Sequence, residues 1–284
     1  MISRSWWIFR RALVASYEDG SFGIAKGVAY STLLAFIPIL TSITALLAQA
    51  NAQAVSQVLS RLVFEIVPPG SEVAVMRSFA SRGQRPAWLL VAAGLLSALA
   101  ASGAMTSLME GFRAAYRIPK GHTFLKERLV ALLMVVGAAL PVLAASSLIL
   151  LGGRVEQWVL IRLGLIVGGE QLWAPVSYLS RAGGFLIAFG ATTLVTAMLY
   201  RFGPNLPARR AGVWPGALVA TVLWFLATEA FAWYVRNIAN YNVLYGSIGA
   251  AIALLVWMYV LAVVALIGCE INAQRERLLH ALGR

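Results

Sequence analysis

The chain has very few of the residues from which most metal and hydrolytic sites are built. Its 284 residues include one cysteine, two histidines and eleven acidic residues. The single cysteine, Cys269, excludes an intrachain disulfide and any site made of several thiolates, and we expect it to be a small buried core residue. His122 lies in a basic loop, His280 lies near the end of the chain, and the acidic residues are scattered singly. We therefore predict no metal and no cofactor.

Signatures of hydrolytic enzymes are also absent from the sequence. Hydrolysis of RNA with metal ions needs a cluster of carboxylates or histidines around one or two cations. The chain contains no His-x-His, no Asp-x-Asp, no Gly-x-Ser-x-Gly, no P-loop and no dinucleotide-binding fingerprint. We therefore predict that the protein is not an enzyme.

Charged residues are scarce as well, at 12% of the chain, whereas 60% of the residues are hydrophobic. A soluble domain of this length could not cover so much apolar surface. Six apolar segments are each long enough for a helix to cross a bilayer core of about 30 Å. They are residues 27–49, 86–109, 129–151, 182–199, 213–235 and 246–268. A transmembrane β-barrel would show alternating segments of about ten residues instead. The predicted fold class is an all-α membrane bundle with six transmembrane helices, forming a single integral membrane domain.

Amphipathic helices are predicted on both sides of the first span. Residues 3–18 combine Trp6 and Trp7 with Arg10, which is typical of a helix lying in the membrane interface. A short unstructured leader is the alternative. Apolar residues recur at three- and four-residue steps over 54–66, which predicts a further amphipathic helix in the loop after the first span.

The distribution of lysine and arginine predicts the topology. Of the 23 basic residues, fifteen lie in the segments on the side of the two chain ends and eight in the other three loops. By the positive-inside rule, both termini are cytoplasmic, and the expected location is a bacterial inner membrane. Topology and contact with anionic lipid headgroups explain most of the net charge of +12, so we expect lipid partners and no nucleic acid.

Glu229, in the fifth predicted span, is the sharpest functional candidate. It lies about five residues, or about 7 Å, outward of the middle of the span. An ionisable group at this depth is costly and therefore a candidate site, although a carboxylate that reaches the outer interface or bonds to a neighbouring helix is the alternative. Arg236 shares its helix face but is two turns away. A polar cluster follows at once, and it either binds a headgroup or solvates a tight turn: Asn237, Asn240, Tyr241, Asn242 and Tyr245.

The cytoplasmic ends of the predicted helices carry a second set of candidates. They either select phosphate headgroups, for which arginine is well suited, or form the basic collar of any inner-membrane protein. Glu110 and Glu270, among arginines, predict ion pairs that lock this face. Pro38 and Pro141 lie within spans and predict kinks, which serve as hinges, cavity linings or plain packing features. The candidates at the helix ends are Glu110, Arg113, Arg117, Arg201, Asn205, Glu270 and Asn272.

Several motifs of the chain resemble those of a known family. In the last third, they are Tyr200-Arg201, Pro204-Asn205, Trp214-Pro215-Gly216-Ala217, Asn240-Tyr241-Asn242, Tyr245-Gly246 and a Gly-x-Glu-x-Asn pattern at Gly268, Glu270 and Asn272. Residues 29–34 and 112–116 match earlier motifs of the same family. Together they resemble the YihY/BrkB family of bacterial inner-membrane proteins. The resemblance implies six spans with both ends inside. Members of that family have carried a ribonuclease BN label, and others are linked to virulence or to transport of envelope lipid and lipopolysaccharide.

Three functional hypotheses follow from the sequence and the resemblance. The first is a transporter-like protein for an amphipathic envelope molecule, such as a lipid or a lipopolysaccharide precursor. In it, Glu229 and the outer polar cluster line the route, and the inner arginines receive phosphate. The alternative is a scaffold or regulator of envelope assembly that transports nothing, and the third, disfavoured hypothesis is a membrane-associated hydrolase. The sequence gives neither the substrate nor the oligomeric state.

Overall fold

The computed structural model describes residues 2–49, 87–119, 123–162, 174–205, 212–237 and 248–281. Over these residues the chain forms seven α-helices and no strand, which confirms the predicted all-α class. The helices are α1 (Ile2–Glu18), α2 (Ser21–Gln49), α3 (Ala87–Tyr116), α4 (Phe124–Arg162), α5 (Ala174–Phe202), α6 (Trp214–Asn237) and α7 (Ile248–Ala281).

Five of the described helices, α3 to α7, are long and apolar enough to cross a membrane. They coincide with the second to sixth predicted spans. The first predicted span lies within α2, a helix of 29 residues, and the total of six spans stays a prediction. Most helices extend beyond the predicted spans, and α4 reaches 39 residues. Backbone hydrogen bonds continue a helix past the point at which its side chains cease to be apolar, so hydropathy marks the span and not the helix end.

The long helices follow one another around the bundle in chain order. Each helix from α2 to α6 packs against the next, and α7 returns to pack against α2. Because α7 also contacts α1 and α3, it is the central helix. Its apolar segment is 61% buried, against 17–22% in the other four candidate spans. Most of the apolar surface of the outer helices is therefore exposed to lipid, whereas most of the apolar surface of α7 is buried against neighbouring helices.

Two residues with positive φ shape one end of the bundle. Gly20, at φ 71°, lets the chain turn from α1 into α2 without a side-chain clash. Arg117, at φ 54°, ends α3, where the N–H of Ile118 donates to the carbonyl of Arg113 over 3.0 Å. A residue other than glycine costs about 1 kcal/mol in this conformation. Arg117 adopts this conformation, and its guanidinium pairs with Asp19 in the turn after α1.

At one end of the bundle α1, the turn from α3 to α4 and the last turns of α7 meet, and we call it the α1 end. The largest fully buried side chains gather near this end. The rings of Phe112 and Tyr200 meet edge to face there, with centroids 5.2 Å apart. The hydroxyl of Tyr200 donates to the carbonyl of Ala265 over 2.6 Å. Cys269 is buried beside them, as predicted. Aromatic packing and one buried hydrogen bond thus hold α3, α5 and α7 together at this level.

Some predictions lie outside the described residues or remain open. Nothing is described of the loop helix over 54–66 or of His122. The helix predicted over 3–18 is present as α1 (Ile2–Glu18), with Trp6 and Trp7 exposed. Its place in the membrane interface stays a prediction. Helices α2 and α4 continue through Pro38 and Pro141, and the kinks at these prolines also stay predictions.

Candidate functional site

A buried carboxylate stands at the centre of the α1 end. The side chain of Glu270, on α7, is fully buried. Its Oε1 accepts a hydrogen bond from Nε2 of Gln274 over 2.8 Å and lies 3.5 Å from Nη1 of Arg277. Nη2 of Arg277 also donates to the carbonyl of Ala115 over 2.6 Å. The ion pair predicted for Glu270 is therefore present, and through Arg277 it ties α7 to the last turn of α3.

A second ion pair joins the turn after α1 to the same end of α3. Nη2 of Arg117 lies 3.5 Å from Oδ1 of Asp19. The charges of Asp19 and Arg117 both act on Glu270, Asp19 by repulsion and Arg117 by attraction. Together with Arg277, these residues form a compact set of two acids and two guanidiniums, which we call the polar cluster: Asp19, Arg117, Glu270 and Arg277.

A third ion pair connects α3 to α4. Nη2 of Arg113 donates to Oε1 of Glu127, and both side chains are largely buried, at 7% and 12% exposure. Arg113 was predicted as a headgroup or ion-pair residue, and in the structure it is half of an ion pair. Glu127 was missed, although it lies in the first turn of α4, where an acid is favoured by the partial positive charge of a helix N-terminus.

Asn272 joins α7 to the beginning of α6. Its Oδ1 accepts from the N–H of Gly216 over 2.7 Å, and its Nδ2 donates to the carbonyl of Val213 over 2.9 Å. The first N–H groups of a helix have no partner within the helix, so a side chain from another helix satisfies one of them here. Asn272 is 2% exposed and both groups of its amide are bonded, so it acts between helices in this structure.

Two glycines let α6 and α7 approach closely enough for these bonds. A Cβ atom on Gly216 would lie 2.1 Å from the carbonyl oxygen of Gly268, and a Cβ atom on Gly268 would lie 2.4 Å from the hydroxyl of Tyr200. Small residues allow helix backbones to come together in membrane bundles. We call Val213, Gly216, Gly268 and Asn272 the α6–α7 joint. It brings the motif at the start of α6 into contact with the Gly-x-Glu-x-Asn pattern of α7.

Replacing Asn272 with alanine should destabilise the protein by about 2 kcal/mol, because it leaves a buried N–H and a buried carbonyl without a partner. Thermal unfolding of the purified protein in detergent measures this change. Asn237→Ala is the matched control, since Asn237 is exposed and its bond among the described residues is to the carbonyl of Trp233 within its own helix, over 2.8 Å. Equal melting temperatures for the two variants would contradict the role given to Asn272.

Glu229 lies far from the α1 end. It follows Trp214, the first residue of α6, by fifteen residues, or about 22 Å of helical rise. Its side chain is exposed, and no hydrogen bond or ion pair joins it to another residue in the described part of the chain. Arg236 and Asn237 are exposed farther along α6. The remaining members of the predicted outer cluster, Asn240, Tyr241, Asn242 and Tyr245, lie outside the described residues.

The other predicted residues of the α1 end are more dispersed. Glu110 is exposed on α3, and Arg201 lies in the last turn of α5. Asn205 is exposed in the turn after α5, at φ 59°, a conformation that asparagine tolerates better than most residues. In the part of the chain that the structure describes, no three residues of the types His, Cys, Asp and Glu gather as metal ligands would.

Sequence analysis missed the partners of the predicted residues more than the residues themselves. Asp19, Glu127 and Arg277 complete three ion pairs. Asp19 and Glu127 pair with residues of another helix or turn, and Arg277 pairs with Glu270, seven residues earlier on α7. A lone acid next to Gly20 and an acid in the first turn of α4 were the available signals. Pairing between helices depends on their rotation about their axes, which the sequence pattern does not contain.

The apolar helices and the buried polar contacts that join them define a multi-pass integral membrane protein. The family described as "Virulence factor BrkB" matches residues 12–282, and the chain belongs to this family. This finding agrees with the resemblance noted from the motifs.

Curated relatives include proteins with two kinds of name. A Bacillus subtilis protein whose name includes "ribonuclease-like protein YfkH" is 29% identical over 185 residues, which are 65% of each chain. A "UPF0761 membrane protein" of Chromobacterium violaceum is 30% identical over 256 residues, or 86% of this chain and 56% of that protein. Another, of Alkalilimnicola ehrlichii, is 28% identical over 259 residues, or 89% and 54%. The chain thus spans between about half and two thirds of the length of these relatives. No solved structure matches the chain.

Proposed function

We propose that this protein is a transporter-like protein that moves an amphipathic envelope molecule, a lipid or a lipopolysaccharide precursor, between the two leaflets of a bacterial inner membrane. The observation that carries the proposal is Glu229, a carboxylate that is exposed within a candidate span. A charged side chain at the bilayer centre costs about 3 kcal/mol or more against hydrocarbon, and a position about 7 Å from the centre still lies within a hydrocarbon core of about 30 Å. Such a side chain is tolerated where it contacts water, a polar group of a substrate or another protein chain.

The two parts of the bundle suit different tasks in such a protein. At the α1 end the helices are held together by the α6–α7 joint, by the rings of Phe112 and Tyr200 and by the ion pairs of the polar cluster. Beside Glu229, Leu226 and Trp233 are also exposed on α6. A lipid whose acyl chains remain in the bilayer could slide its headgroup along this face. There Glu229 would accept hydrogen bonds from hydroxyl or amine groups, and the arginines of the α1 end would attract phosphate.

Glu229→Gln tests this proposal, because glutamine keeps the shape and much of the hydrogen bonding but removes the charge. We expect the variant to lose about tenfold or more of its activity, since a hydrogen bond to a charged group contributes about 1.5–3 kcal/mol. The assay follows a fluorescent phospholipid that crosses the bilayer of proteoliposomes and becomes accessible to an impermeant quencher. Glu18→Gln, the same chemical change at an exposed position of α1, is the matched control.

Each outcome of this assay has a definite meaning. Activity in wild-type vesicles that falls in Glu229→Gln and not in Glu18→Gln supports the proposal. A Glu229→Gln variant with full activity would remove Glu229 from the transport mechanism. Wild-type vesicles that move none of the lipids tested would contradict transport itself, and the scaffold hypothesis would then replace it.

We also propose that the protein is not a nuclease, despite the ribonuclease-like name of one relative. The support is chemical: the two histidines and eleven acids form no His-x-His or Asp-x-Asp motif, and among the described residues no three of the types His, Cys, Asp and Glu gather as catalytic cations require. Purified protein should leave a fluorescent RNA intact in the presence of Mg²⁺. Cleavage that rises with protein concentration, and that disappears in Glu270→Gln or His280→Ala, would contradict this proposal.

A further inference from the structure

Three buried oxygen atoms between α1 and α7 have no hydrogen-bond partner among the described residues. They are Oγ of Ser16, Oδ2 of Asp19 and Oε2 of Glu270. Ser16 and Glu270 are both fully buried side chains. A buried polar atom without a partner is uncommon and costs about 1–3 kcal/mol, more when it carries charge. Three such oxygen atoms at the contact between α1 and α7 are best explained by one common ligand.

The packing of α1 on α7 brings the three residues to the same interface. Ala12 of α1 contacts Ile267 and Ile271 of α7. Ser16 and Asp19 follow Ala12 by four and seven residues, so they lie on the same face of α1 or directly beyond its end. Glu270 precedes Ile271 on α7 and is repelled by the charge of Asp19. The serine therefore lies between Ala12 and Asp19 along the face of α1 that packs on α7.

The carboxylates of Asp19 and Glu270 each contact protein donors through only one of their two oxygens. Asp19 directs Oδ1 to Arg117, and Glu270 directs Oε1 to Gln274 and Arg277. The other oxygen of each, Oδ2 and Oε2, is left as a bare acceptor together with the serine hydroxyl. Carboxylate and hydroxyl oxygens are hard ligands, which suit alkali and alkaline-earth cations better than transition metals.

The charge balance favours a singly charged ion over a divalent one. Two guanidiniums already oppose the two carboxylates, so a divalent ion would leave an excess of two positive charges in a buried site, whereas a singly charged ion leaves an excess of one. Mg²⁺ also keeps several waters, for which atoms buried this deeply leave little surface. A neutral water would donate two hydrogen bonds but would not offset the repulsion between Asp19 and Glu270. A small monovalent cation satisfies all three oxygens and reduces that repulsion.

We propose that Ser16, Asp19 and Glu270 bind Na⁺ between α1 and α7. The ion fastens the N-terminal helix to the central helix of the bundle. The site lies at the α1 end, far from Glu229. The proposal does not depend on whether the protein moves lipid.

The test is binding of ²²Na⁺ to the purified 284-residue chain, in a buffer where choline replaces Na⁺ at equal ionic strength. We expect saturable binding to the wild type. Ser16→Ala, which removes one ligand with little change in volume, should bind about tenfold more weakly, because a lost bond to a charged group is typically of that size. Asp19→Asn and Glu270→Gln should weaken binding further. Glu18→Gln, which changes an exposed acid next to the site, should bind as the wild type does.

A second measurement keeps the proposal testable if a variant folds poorly. Na⁺ should raise the melting temperature of the wild-type protein relative to choline, because an ion that binds only the folded state stabilises it. Three results would overturn the proposal: no saturable ²²Na⁺ binding by the wild type, equal melting temperatures in Na⁺ and choline, or wild-type affinity in Ser16→Ala. The second result would assign the three oxygens to water.

Discussion

Replacing Gly216 with alanine is expected to destabilise the bundle by about 3 kcal/mol or more, which is large for the addition of one methyl group. The new Cβ atom would lie 2.1 Å from the carbonyl oxygen of Gly268 and 2.5 Å from Nδ2 of Asn272. The oxygen belongs to the backbone of the central helix and cannot rotate away. Helices α6 and α7 must therefore separate, and both hydrogen bonds of Asn272 are then lost.

The chain supplies its own reporter for this experiment. Cys269 is the only cysteine in the sequence, is fully buried and follows Gly268 directly. A fluorogenic thiol reagent should react with it only when the α1 end opens, so the rate of labelling during heating measures unfolding. The matched control is Gly190→Ala on α5, where a Cβ atom meets nothing within 4 Å. This control should be neutral or more stable by about 0.5–1 kcal/mol, because alanine is the better helix former. Equal labelling of the two variants would contradict the close contact between α6 and α7.

The ion pair of Arg113 with Glu127 should produce the second large effect. Removing one partner of a buried pair leaves an uncompensated charge and costs about 3–5 kcal/mol, whereas replacing both with apolar residues is often nearly neutral. We therefore expect Arg113→Met and Glu127→Leu each to destabilise the protein by about 3 kcal/mol. The double variant should remain within about 1 kcal/mol of the wild type, because no buried charge remains.

Labelling of Cys269 in increasing concentrations of a denaturing detergent gives the free energies for this double-mutant cycle. The cycle isolates the coupling between the two side chains from their separate packing. Single variants with little effect would mean that water reaches the pair. A double variant as unstable as the sum of the single variants would mean that the two charges do not interact.

The sequence by itself determined the class of the protein and the positions of its membrane helices. Apolar segments long enough to cross a bilayer are a property of the chain alone, since a membrane requires each segment to satisfy its own backbone hydrogen bonds. The helices α3 to α7 therefore fall where hydropathy places spans. The low content of acids, histidines and cysteines likewise follows from the sequence, and the motifs pointed to the family that the comparison found.

Among the candidate residues, the sequence identified positions but not roles. Asn272 and Arg113 were grouped as headgroup or ion-pair candidates without a choice between these roles. In the structure the amide of Asn272 bonds to the backbone of α6, and Arg113 pairs with Glu127. Both are polar residues at the ends of apolar helices, and this pattern does not distinguish a side chain that faces lipid from one that faces another helix. Glu229 was identified from its depth in the span, and the structure adds that its side chain is exposed.

Only the tertiary structure decided which helix is central and which polar groups meet. The apolar segment of α7 is 61% buried and that of α4 only 17%, although these two segments are the most apolar of the five and similar in hydropathy. In lipid, a side chain on the surface and one in the core are equally apolar, so hydrophobicity does not separate them. Close packing at Gly216 and Gly268, and the pairing of Asp19 and Glu127 with arginines at the end of α3, depend on how the helices are rotated and how closely they approach. That geometry belongs to the assembled bundle and to no single segment of the chain.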